Sequence, residues 1–178
     1  MNWKLTGAAS LLILGGCSPA LNWRSVAVPD AALAITLPCK PNQATRKVEL
    51  AGVPVEMAMV GCDADGATLA VSHVVLADPS QVGTALTHWR AAALANLGPK
   101  AAATAVDVPY TPAGVLPLVQ SVRTMAQGQR ADGSAVTLQA IWFARATGPQ
   151  LRLYHAVVYS TKPRPEVVDP FFAGLALQ

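Results

Sequence analysis

The chain predicts an α+β fold, an antiparallel β-sheet with one long helix and a short C-terminal helix packed on it. Three observations carry that expectation. Two Asp-Gly pairs, Asp65-Gly66 and Asp132-Gly133, each separate two runs rich in β-branched and apolar residues, the pattern of an antiparallel hairpin. Between them, one stretch repeats its apolar residues at helical spacing. A last apolar cluster, Phe171-Phe172, follows a Pro-Arg-Pro break and ends at Gly174.

Taken in order, Trp23-Arg24-Ser25-Val26 reads as the approach to a first strand. Leu33, Ile35 and Leu37 then alternate with Ala34 and Thr36, the period of a half-buried strand, which Pro38-Cys39-Lys40-Pro41 ends. Residues 46–50 and 54–62 form the next two strands around Ala51-Gly52. Asp63-Ala64-Asp65-Gly66 holds two acids and a glycine, but the remaining ligand positions of a calcium loop are missing, so it reads as the turn into a strand over 68–76. In the helix that follows, Asp78 caps, Pro79 suits the first position, and Val82, Ala85, Leu86, Trp89, Ala93 and Leu97 share a face. Gly98-Pro99 ends it. Residues 101–117 mix a short strand near Val106 with a Pro- and Gly-rich loop around Tyr110, the kind of segment where binding often resides. Strands over 122–130, 135–145 and 151–159 follow. Residues 166–172 form the short helix, with Pro170 blurring its bounds, and 174–177 close as an edge strand.

Composition narrows the field. Of 178 residues, 52% are hydrophobic and 13% charged, about half the charge usual in soluble domains, which argues against disorder. Ala-rich runs such as Ala101-Ala102-Ala103 carry much of that excess. Thirteen Lys and Arg face ten Asp and Glu without clustering, so no nucleic-acid footprint is expected.

The first seventeen residues read as an address. Lys4 supplies a positive start, Leu5 to Leu14 a short apolar run, and small residues lead into a cysteine. The run is too short to span a bilayer. Leu14-Gly15-Gly16-Cys17 resembles the lipobox of bacterial lipoproteins. That resemblance implies cleavage before Cys17, acylation of its sulfur and amine with palmitate among the chains, and retention on a membrane. Ser18 after the cysteine resembles the enterobacterial sorting pattern for the outer membrane, which places the protein on the inner leaflet, facing the periplasm. The chain then divides into a signal peptide over 1–16, a lipidated tether over 17–22, and one α+β domain over 23–178. The tether is short, so Trp23 and Arg24 either lie near the head groups or cover the end of the sheet.

With Cys17 spent on lipid, Cys39 and Cys62 remain. In an oxidising compartment an even remainder reads as a disulfide, and closing such a loop contributes about 3 kcal/mol in the chain-entropy model. Leu37-Pro38-Cys39-Lys40-Pro41, the helix carrying Trp89 and the terminal Pro170-Phe171-Phe172-Ala173-Gly174-Leu175 resemble the framework of PsbP-like domains of uncharacterised bacterial lipoproteins. The resemblance covers most of the mature chain. It implies this fold, an accessory role and no catalytic chemistry, and it carries over no site residues.

The residues offer little else to chemistry. His73, His88 and His155 make no metal-ligand spacing with one another or with a cysteine, so neither a metal nor another cofactor is expected. His73 and His155 fall within strands, where a hydrogen-bonded structural role is the ordinary one. No nucleophile elbow or phosphate loop appears. Arg123, Gln127 and Gln129 share one face of a strand beside Thr137 and Gln139, and with Tyr110 they form the candidate binding set. A solvated sheet face explains the same pattern. Three functions follow in order of expectation: a non-enzymatic, membrane-anchored accessory protein that docks an envelope protein partner, a lipoprotein that binds a small ligand in the cleft between helix and sheet, and a hydrolase whose triad is assembled from distant residues such as Ser72 or Ser160.

Overall fold

A computed structural model describes residues 21–178, so the leader, Cys17 and most of the tether lie outside the described residues. The chain opens with β1 (Arg24–Val28) and β2 (Leu33–Leu37), joined by a 3-10 turn at Pro29–Ala31. A meander of β3 (Asn42–Leu50), β4 (Val53–Ala64) and β5 (Ala67–Leu76) follows. Helices α1 (Val82–Ala95) and α2 (Pro99–Thr104) cross to a second meander of β6 (Val106–Pro109), β7 (Val122–Gln129), β8 (Ala135–Thr147) and β9 (Gln150–Ser160). The chain closes with α3 (Pro165–Ala173) and β10 (Ala176–Leu177).

The two meanders join edge to edge through β5 and β9, giving a seven-stranded sheet in the order β3-β4-β5-β9-β8-β7-β6. Every neighbouring pair is antiparallel. The expected antiparallel α+β architecture is therefore present, but β1, β2 and β10 form a separate three-stranded sheet with β2 in the middle. Local chemistry explains the hairpins. Ala51 and Gly52 have φ of 54° and 80°, and Asp65 and Gly66 have 48° and 73°. Positive φ at both central residues gives a turn whose twist matches that of the strands. At the longer β7–β8 turn, the Asp132 carboxylate accepts from the Ser134 N–H at 2.9 Å and its hydroxyl at 2.6 Å.

Both faces of the large sheet are covered, which is why β8 buries consecutive residues. Trp142 and Ala144 face α1 and pack with Leu86 and Trp89, while Ile141 and Phe143 face the small sheet and α3 and pack with Ile35 and Phe171. The two predicted helices thus sit on opposite faces. Asp78 caps as expected, its carboxylate accepting from the Ser80 N–H at 2.9 Å, but it caps a 3-10 turn at Pro79–Gln81 that runs into α1. Beyond Ala95 the structure departs from the expectation. Gly98 takes φ of 78° and starts α2, with Pro99 in the first position where its missing N–H costs nothing. The reason is a close approach: α2 packs on β7 at Gly128, where an added Cβ would lie 2.7 Å from Leu97 Cβ and 3.1 Å from Ala101 Cβ.

The expected disulfide is present. Cys39, just beyond β2, is bonded to Cys62 on β4, with their Cα atoms 6.0 Å apart. It links the two sheets across the face that also carries α3.

Candidate functional site

On the α1 face, a groove of about 460 Å³ lies between the C-terminal half of α1 and the strands β3, β4, β5 and β9. Strand register builds its floor. Met59 faces Ser72, Ser72 faces His155 and His155 faces Trp142, a row crossing β4, β5, β9 and β8. Alternation adds Met57, Ala70 and Val157 to the same side. Trp89 and Ala93 form the helical wall, Val48 and Leu50 the wall on β3, and Arg46, His88 and Asn96 stand exposed on the rim.

His155 sits at the inner end of this row. Its ring stacks flat on Trp142, with centroids 3.7 Å apart and planes within 6°, and meets Trp89 edge-on at 5.5 Å. Its Nε2 is buried without a hydrogen-bond partner. Burial removes the water that would solvate an imidazolium, so its pKa falls to about 3. The ring is neutral at physiological pH, and the groove combines an uncharged floor with a charged rim. Trp142 Nε1 donates to Thr124 Oγ1 at 3.1 Å, Thr124 Oγ1 donates to Asp107 Oδ1 at 2.7 Å, and Arg90 pairs with Asp107 at 2.9 Å. This chain of bonds fastens α1 to β6 and β7, away from the open side.

The residues expected to bind lie elsewhere. Arg123 faces the small sheet, where its Nη2 donates to Gln139 Oε1 at 3.1 Å and its guanidinium stands 4.9 Å over the Phe172 ring. Gln127 and Gln129 are exposed further along the same strand. Tyr110 packs on Phe143 with centroids 5.5 Å apart, and burial pushes its phenol pKa up. The structure brings Arg123 and Gln139 together, as the strand pattern implied, and α3 covers them. None of the four lines the groove.

His73 makes the kind of contact expected of a strand histidine, its Nδ1 lying 3.2 Å from Arg152 Nη1. His155 departs from that expectation, because its Nε2 has no partner. Ser72 and His155, opposite each other on β5 and β9, are not joined by a hydrogen bond among the described residues, and no carboxylate orients the imidazole. An imidazole with a pKa near 3 is also a weak base at neutral pH. Comparisons with protein-family models, with curated proteins and with solved structures gave no match for this chain.

Proposed function

We propose that this chain is an envelope lipoprotein, anchored to the outer membrane through acylated Cys17, whose folded part holds a small amphipathic ligand in the groove beside α1. Binding, not a reaction, is the role assigned. The lipobox resemblance of Leu14-Gly15-Gly16-Cys17 supports the anchorage, and the PsbP-like resemblance belongs to the same proposal. The observation that carries the ligand is the groove itself. Its 460 Å³ falls in the usual range of about 300–1,000 Å³ for small-molecule sites, and its uncharged floor and charged rim suit a molecule with an apolar body and a polar end. Straight-chain amphiphiles such as decanoate are expected to raise the unfolding temperature saturably. Ala92→Phe, which fills the groove from an exposed position on α1, is expected to abolish that rise. No rise with any amphiphile overturns the proposal.

One observation supports protein docking as a second reading. On the outer strand β6, Val106 is 63% and Val108 51% exposed, and Met125, facing Val106 on β7, is 50% exposed. Crosslinking in cells that joins this edge to one dominant envelope protein is the outcome that would favour it.

A further inference from the structure

The chain enters the fold at one pole. The Asn22 N–H donates to the Pro38 carbonyl at 2.7 Å, beside Cys39 and hence beside Cys62. From there register leads into the groove. Asp63, next to Cys62, faces Thr68, and Thr68 faces Tyr159 on β9. Thr68 and Tyr159 both line the groove. A smaller hollow of about 180 Å³ shares Met59, Thr68 and Ala70 with the groove and continues it to Gly61 and Cys62. The groove therefore continues, past the polar Asn42, Asp63 and Thr68, to the pole where the tether enters on the other face of the sheet, and Cys17 lies five residues from Asn22, at most about 18 Å of chain. At the rim, Arg46 offers a positive charge from the same side of β3 as Val48 and Leu50.

We infer that the groove takes one acyl chain of a phospholipid drawn from the bilayer that anchors Cys17, leaving the head-group phosphate at the rim beside Arg46. This rests on the lipoprotein and ligand reading above and names the ligand's class and source. Length and position argue for it together: the leash keeps the pole at the membrane surface, and the hollow at that pole opens the way in.

The test uses the mature acylated protein with Trp23→Phe, reconstituted in vesicles of phosphatidylethanolamine and phosphatidylglycerol whose acyl chains carry bromine near the bilayer centre. Bromine quenches tryptophan only at contact. Trp89, 7% exposed within the fold, meets bromine only if a chain occupies the groove. The expected result is loss of most of the emission that Trp89 adds to that of Trp142, the other remaining tryptophan, which is fully buried; this loss is absent in Trp89→Phe and in Ala92→Phe. Unchanged emission overturns the inference. If decanoate still raises the unfolding temperature in that case, the ligand reading survives without it; if decanoate also fails, both fall. Equal quenching of a released Cys17→Ala form overturns supply through the tether, and failure of labelled palmitate to enter the wild-type chain overturns the anchorage itself.

Discussion

The two faces of the seven-stranded sheet are closed to different degrees, although the same strands supply both. The face toward the small sheet is bolted at several points. Besides the Cys39–Cys62 bond, the buried Tyr154 hydroxyl donates to the Ala31 carbonyl at 2.6 Å, Arg145 donates to the carbonyls of Ala32 and Gln178, and Arg164 pairs with Asp65 and Glu166. On the α1 face, the Arg90–Asp107–Thr124–Trp142 chain, the Thr104–Gln127 pair and the Gln129 N–H to Leu97 carbonyl bond all sit on the β6–β7 side. Width explains the contrast. Seven strands about 4.8 Å apart span roughly 29 Å, whereas a helix with its side chains is about 10 Å across. A second sheet and a helix can cover that span; α1 and the short α2 leave β3 to β5 partly bare, and the groove is the result.

Side-chain truncation gives the largest expected contrast. Phe171→Ala, at a fully buried site on the closed face, should cost about 3–5 kcal/mol by urea denaturation, because a sealed cavity remains. Met59→Ala, half-buried in the groove wall, should cost no more than about 1 kcal/mol, since solvent already reaches it. Equal losses would break the comparison. Next, replacing Cys39 and Cys62 together by alanine should lower stability by about 3 kcal/mol, the loop entropy returned to the unfolded chain. Decanoate should still raise the unfolding temperature of that variant, because the bond lies on the other face.

A smaller effect comes from pH and belongs to the open face. The His155 pKa is about 3 in the fold against an ordinary value of 6.5, so between those values the unfolded chain holds a proton that the native state lacks. Stability is therefore full above pH 6.5 and falls as pH drops toward 3, by about 1.4 kcal/mol per unit at most. Over pH 6.5 to 4.5 the loss should reach roughly 2–3 kcal/mol. His73, whose pKa burial also lowers, contributes with the same sign, while Asp78, Asp132 and Glu166 act only at lower pH. His155→Phe should flatten most of this slope in unfolding curves measured at each pH. An unchanged slope would mean that the buried ring is not the group responsible.

Much of the fold was legible because its signals are local. Ala51-Gly52 and Asp65-Gly66 specify their turns through backbone angles that few residues adopt, Asp78-Pro79 specifies a helix start, and Cys39 and Cys62 pair. Partner choice was less legible. The alternation of Leu33, Ile35 and Leu37 announces a strand but not that it pairs with Ala176 and Leu177 in a sheet of its own. Gly98-Pro99 reads equally as the end of one helix or the start of another, and Gly128, thirty residues later, decides between them. The groove was least legible, since Met59, Ser72, Trp89 and His155 come from four separate elements. Arg123 marks the other limit: alternation put it on the polar face, but only the packing of α3 shows that Phe172 lies over it.

The bond between Cys39 and Cys62 also has a mechanical meaning. In the proposed anchored state, a pull through Cys17 would reach Leu21 and Asn22 first and then load the near ends of β1 and β2, the arrangement that unzips most easily. Since Cys39 lies just past that loaded end, the sulfur bridge diverts the strain into β4, inside the larger sheet. Under the proposed anchorage, a swaying membrane could thus tug on the body without peeling its smaller layer away.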